Sequence, residues 1–243
     1  MTVRSFITDS GTQVPAITTD QMREIDRIAV EETGPNLYQM MENAGRSLAL
    51  TVLERLEGAA VERVVVLAGT GGNGGGGICA ARHLANHGVH VTLVVSDLER
   101  LSPVPSAQLG VYRATAGRLA RPGQVDSLTP DLVVDALIGY SLSGPPTGPA
   151  AELIGWANAQ PVPVLALDVP SGIDATTGAA PGVHVGAGTT VTLALPKTGL
   201  DAAAAGDLLL ADIGIPVGVY RRVGVEVPAR LFGRSYRIRL LDA

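Results

Sequence analysis

Apolar positions change their period once along this chain. Over residues 18–58 they recur at helical spacing: Met22, Ile25 and Ala29 in "TTDQMREIDRIAVEETG", then Leu37, Met41, Ala44 and Leu48 in "GPNLYQMMENAGRSLALTVLERLEG". The first run starts with Thr18 and a Gln21 three residues on, the second with Pro35 and Asn36, and they stop at Gly34 and Gly58. Two amphipathic helices are predicted. Beyond residue 63 the apolar residues gather into continuous Val/Leu/Ala runs, which predict strands near residues 64–67, 89–95, 132–135, 162–168, 190–195 and 208–210. Helical segments near residues 77–86, 106–116 and 150–159 separate the first four. Strands that alternate with helices pair in parallel, and runs without an in/out alternation are covered on both faces. The fold class is therefore α/β, a three-layer αβα sandwich with a mostly parallel central sheet. Residues 1–16 read as a loose N-terminal arm and about 217–243 as a C-terminal extension of a single domain spanning 1–243.

Composition narrows the function classes. Hydrophobic residues make up 46% of the 243 and charged ones 17%, enough apolar material for a large core and too little charge for a disordered chain. A formal net charge of −5 provides no basic footprint for nucleic acid. No apolar run reaches the roughly 18 residues that span a bilayer, and the N-terminus lacks the apolar core of a signal peptide. The lone Cys79 cannot form an internal disulfide. A cytoplasmic protein without membrane or nucleic-acid partners is expected. Cys79 falls on the apolar face of a predicted helix, where it reads as a small buried residue rather than a nucleophile.

In a parallel sheet ligands bind beyond the carboxyl ends of the strands, so four loops carry the chemical information. The first is "GTGGNGGGG", residues 69–77, whose glycines imply tight turning or close approach to a ligand such as phosphate. Gly69, Gly71 and Gly74 satisfy the dinucleotide fingerprint formally, but so glycine-rich a loop fits many templates, and Asp97 lies further on than a ribose acceptor usually does. Asn73 is the one amide side chain among these glycines. In "VVDALIGYSLSGPPTGP" Asp135 ends a buried strand, either to meet a ligand or to cap backbone N–H groups; in "VLALDVPSGIDATTG" Asp168 does so, with Ser171 close behind. Two carboxylates and an amide at one sheet edge suit an oxygen-rich cation site plus one acid/base group. Asp174 reads as a turn residue, and Lys197 in "TVTLALPKTGL" as a solvated lysine.

Taken together, "MREIDRIAVEETG", "MMENAGRSLA", "GNGGGG" with "ICAARHLANHG", "DLVVDALIGYSLSGPPTGP", "LALDVPSGIDATTG" and "LALPKTGL" resemble the NAD(P)H-hydrate epimerase family, also called the YjeF N-terminal domain family, over about residues 18–216. The resemblance implies a Rossmann-like fold, commonly as a homodimer. It implies an isomerase of metabolite repair that interconverts the R and S forms of hydrated NADH and NADPH so that a dehydratase, here a separate partner, can restore both. It implies a potassium ion at Asn73, Asp135 and Ser171. It also implies a substrate site at Gly72, Asn73, Gly74, Gly75 and Gly76, at Gly139, Tyr140, Ser141, Leu142, Ser143, Gly144 and Pro145, and at Asp168, which is the expected catalytic acid/base group. The family's loop usually reads Asn-Asn-Gly-Gly-Asp-Gly, so glycine replaces an Asn at Gly72 and an Asp at Gly76, and the Arg or Lys that many members place near Ser143 and Gly144 is absent. These departures leave two alternatives open: another small-molecule substrate, or a non-catalytic binding role.

Overall fold

The computed structural model describes residues 4–58 and 63–243. Its N-terminal residues form no loose arm but two strands, β1 (Ser5–Thr8) and β2 (Gln13–Pro15), paired antiparallel. Helix α1 (Thr19–Ile28) follows, opened by the Thr18/Gln21 capping box and continued by a π turn over Ala29–Thr33. Helix α2 (Leu37–Leu56) begins with a second capping box, Asn36 with Gln39. The alternating region then runs β3 (Arg63–Ala68), α3 (Gly72–Asn86), β4 (His90–Val95), α4 (Pro103–Tyr112), β5 (Arg118–Ala120), β6 (Leu132–Ala136), α5 (Gly148–Ala159) and β7 (Val164–Leu167). Strand β8 (Thr189–Leu193), the short α6 (Ala202–Ala205), β9 (Asp207–Ala211), α7 (Val217–Arg222) and β10 (Arg237–Asp242) complete the chain.

The ten strands make one sheet in the order β2-β1-β10-β9-β8-β7-β6-β3-β4-β5. From β9 to β5 every pairing is parallel, while β10, β1 and β2 are antiparallel at the other edge. The C-terminal extension is thus part of the sheet: β10 inserts between β9 and β1, with Phe6 opposite Asp242. Helices α2, α3 and α4 cover one face, where Val64, Val66 and Ala68 of β3 are buried; α5 covers the other, against Val65 and Leu67. Burial on both faces explains the unbroken apolar runs. A third cluster joins α1 and α7 to the antiparallel end through Ile25, Ile28, Val219 and Leu240.

Strand order reverses beside β3, which has β4 on one side and β6 on the other. Ligands of such sheets bind at the carboxyl ends around that switch. The glycine run enters the helix here rather than forming a loop, because α3 starts at Gly72, five residues before the predicted start. Close packing provides the reason. A Cβ on Gly77 would lie 2.4 Å from Ala136 Cβ, and one on Gly74 1.9 Å from the Gly69 carbonyl oxygen. Glycine disfavours a helix by about 1 kcal/mol relative to alanine, but a side chain here would push the helix off the sheet.

Candidate functional site

The loops after β3, β6, β7 and β8 converge on a cavity of about 430 Å³. Its walls are mostly apolar, with Met22, Met40, Met41, Leu167, Leu193 and Ile213, and its polar groups are few: Asp26, Asn73, Tyr140, Asp168, Lys197 and the serines Ser102 and Ser141. An apolar cleft with a small convergent polar set is the usual form of a small-molecule site.

Asp168 is its central feature. It directly follows β7 and takes a left-handed backbone, φ 68°, a conformation that costs a non-glycine residue of order 1–3 kcal/mol unless its surroundings hold it. Those surroundings are present. Asp168 Oδ2 accepts the Tyr140 backbone N–H at 3.1 Å, Oδ1 accepts the Leu193 N–H at 3.3 Å and the Lys197 ammonium, and the Asp168 N–H donates to the Val191 carbonyl at 2.8 Å. Lys197 is fully buried and also donates to the Leu193 carbonyl at 2.8 Å. The expectation of a solvated lysine is therefore wrong: a buried ammonium requires an anion, and Asp168 is that anion.

Asp135 lies deeper, fully buried at the end of β6. Ser171 donates to it twice, from its hydroxyl at 2.6 Å and its backbone N–H at 2.8 Å, and the Leu137 N–H adds a third bond at 3.1 Å. Burial still pushes the Asp135 carboxyl up to about 6, since among the described residues no cationic side chain bonds to it. The Ser171 hydroxyl meanwhile accepts the Ile138 N–H at 2.8 Å. The next residue, Gly139, brings Asn73 and Asp168 together: a Cβ there would stand 3.1 Å from the Asn73 amide oxygen and 3.2 Å from Asp168 Oδ2. Asn73 Nδ2 is buried without a hydrogen-bond partner among the described residues.

The predicted substrate residues divide by position. Gly72, Asn73, Gly76, Gly139, Tyr140, Ser141 and Asp168 line the cavity, whereas Leu142, Ser143, Gly144 and Pro145 continue along the loop beyond its wall. Gly74 and Gly75 pack beneath it, Gly75 with space for no side chain beside Met41. Asp135 and Ser171 are fully buried and do not line the cavity. Asp174 accepts the N–H groups of Thr176 and Thr177, the turn role expected of it. Cys79 is buried and its thiol is pushed up to about 12 by desolvation, which fits a packing role.

Sequence reasoning missed Asp26. Its carboxylate Oδ2 accepts the Tyr140 hydroxyl at 2.5 Å from α1, and burial raises its pKa. In the sequence it is one more polar position on an amphipathic helix.

Residues 37–199 match the protein family described as YjeF-related protein N-terminus. A protein of Dehalogenimonas lykanthroporepellens named NAD(P)H-hydrate epimerase is 52% identical over 236 residues, 97% of this chain and 96% of the relative. The Weissella koreensis protein of the same name is 38% identical over 82% of this chain and 91% of its own. A bifunctional NAD(P)H-hydrate repair enzyme of Salinibacter ruber is 35% identical over 86% of this chain, which spans only 42% of that longer protein. The crystal structure of the yeast protein YNL200c superposes with a TM-score of 0.79 at 20% identity, covering 95% of this chain and all of the yeast chain, a likeness of fold.

Proposed function

The chain belongs to the YjeF-related N-terminal family, and from that premise we propose that it is an isomerase acting on hydrated NADH and NADPH, interconverting their R and S forms at C6 of the reduced nicotinamide ring. The observation that carries this reading is Asp168, a carboxylate held by Lys197 and two backbone N–H groups at an apolar cavity that also receives the first turn of α3. Inversion at C6 requires the C6–O bond to break and re-form on the other face. The ring nitrogen lone pair assists departure by forming an iminium, and the oxygen leaves as water if a proton is supplied. Asp168 carries out this proton transfer on its own face of the ring, giving a proton to a departing hydroxyl there, drawn from the adjacent Lys197 ammonium, or accepting one from a returning water. Such acid/base help contributes on the order of 10²- to 10⁴-fold. The apolar walls limit access of bulk water to the iminium.

Among the described residues no side chain caps α3, so its first-turn N–H groups at Gly72 and Asn73 suit the pyrophosphate of a dinucleotide. Replacement of the usual Asn by Gly72 leaves this end open, while Gly76 stands where a Cβ would lie 2.8 Å from Leu167 Cδ2, and neither position touches Asp168. A potassium ion fits three residues near this end: Asp135, Ser171 and Asn73 supply oxygen donors with one negative charge, Asp135 lacks a cationic partner among the described residues, and the Asn73 amide nitrogen has no partner among them, an end that a flip would exchange for its oxygen. Bound there, potassium would neutralise Asp135 and fix the loops carrying Asn73 and Gly139. The enzyme acts in the cytoplasm as a homodimer, beside a separate dehydratase that consumes one epimer. Support for that partner comes from the relatives in which a repair enzyme is bifunctional.

Replacing Asp168 with Asn tests the assignment: turnover should fall by the 10²- to 10⁴-fold acid/base contribution while binding of hydrated NADPH stays within about tenfold. Equal turnover in variant and wild type would remove Asp168 from the chemistry.

A further inference from the structure

Among the described residues two carboxyl groups, Asp26 and Asp168, line the cavity, and one residue joins them. Tyr140 gives its backbone N–H to Asp168 and its hydroxyl to Asp26, so the two acids stand about a tyrosine side chain apart, one entering from the end of β7 and the other from α1. We propose that Asp26 is a second acid/base catalytic residue, serving the ring face opposite the one served by Asp168. This deepens the epimerase reading and rests on it.

The environments of the two groups differ in the way a divided task needs. Asp168 accepts from the buried Lys197 side chain and from two backbone N–H groups. Asp26 has one donor, the Tyr140 hydroxyl on Oδ2, and its Oδ1 accepts no hydrogen bond among the described residues. Burial raises the Asp26 pKa, opposed by the Tyr140 hydrogen bond and by the charge of Lys197 and reinforced by that of Asp168. A carboxyl group whose burial raises its pKa and a second that takes several donors, about a reacting carbon, match the pair that inverting glycosidases use on a C–O bond cleaved through an oxocarbenium-like transition state. The nitrogen analogue applies here. Asp26 protonates the C6 hydroxyl on its face, the C6–O bond breaks as the ring nitrogen forms the iminium, and water leaves. A second water adds to the other face and loses its proton to Asp168. One proton has passed from Asp26 to Asp168, and exchange with solvent restores the starting distribution.

Removing one group should separate exchange from inversion. Asp26→Asn preserves shape and can still accept from Tyr140. In water labelled with oxygen-18 and relative to an enzyme-free control, this variant should interconvert R- and S-hydrated NADPH on the order of 10²-fold more slowly than wild type, with binding within about tenfold. It should still place label into one epimer without forming the other. Tyr140→Phe should move the alkaline limb of its pH profile upward, since the lost hydrogen bond had favoured ionised Asp26. If Asp26→Asn inverts at the wild-type rate, or loses exchange and inversion equally while Tyr140→Phe leaves the pH profile unmoved, Asp26 is not a second acid/base group. Wild-type protein that accelerates neither process contradicts the epimerase reading itself.

Discussion

Lys197 buries its ammonium against the carboxylate of Asp168, and the pair is at once the least exposed ionic contact among the described residues and part of the polar lining of the cavity. Breaking one side of such a pair leaves a charge in a site built for two, at a cost of about 3–5 kcal/mol. Lys197→Met and Asp168→Asn should each lower the unfolding free energy by about that much in urea titrations, and the double variant should recover most of the loss. Additive losses would show that the two side chains do not depend on each other.

The glycines from Gly72 to Gly77 should not be equivalent. A Cβ on Gly72 meets only Met41 Cε, at 3.8 Å, whereas one on Gly77 meets Ala136 Cβ at 2.4 Å, a neighbour fixed to the backbone. Gly77→Ala is expected to destabilise by about 1–3 kcal/mol through overpacking. Gly72→Ala should be neutral or slightly stabilising, because alanine is the better helix former. Thermal melts of the two variants measure the contrast.

Cation binding at Asp135 predicts selective stabilisation. A ligand that binds only the folded state raises its stability by mass action, so the melting temperature should rise when potassium chloride replaces tetramethylammonium chloride at constant ionic strength. The increment should vanish in Asp135→Asn. An equal increment in that variant would place the cation elsewhere.

Cys79 packs under α2, its Cβ close to where a side chain on Gly45 would stand, and its thiol is pushed up to about 12. At pH 8 it should resist alkylation by iodoacetamide in the native protein and react when urea unfolds the chain, a difference that intact-mass spectrometry reads directly.

The central layers were legible because their signals are local. Val/Leu runs between helical stretches mark β3, β4, β6 and β7, and position at a strand end singles out Asp135 and Asp168. What was hidden depends on partners far along the chain. Strands β1 and β10 pair across more than 230 residues, and neither segment records that the other exists. A glycine run reads as a loop until Ala136 and Gly69 are seen to exclude any side chain. Lys197 looked like a surface lysine since nothing near it in sequence shows that Asp168, 29 residues earlier, turns back through a left-handed backbone to meet it. Asp26 was hidden for the same reason: its partner is Tyr140, 114 residues away.

The most direct test of the account is stereochemical. Purified protein is added to isolated R-hydrated NADPH in potassium buffer, and the S form is followed by chromatography that resolves the epimers, beside an enzyme-free control. The account predicts that S appears faster than in the control until both forms reach equilibrium. A wild-type rate no greater than that of the control, with the protein folded and potassium present, would contradict it.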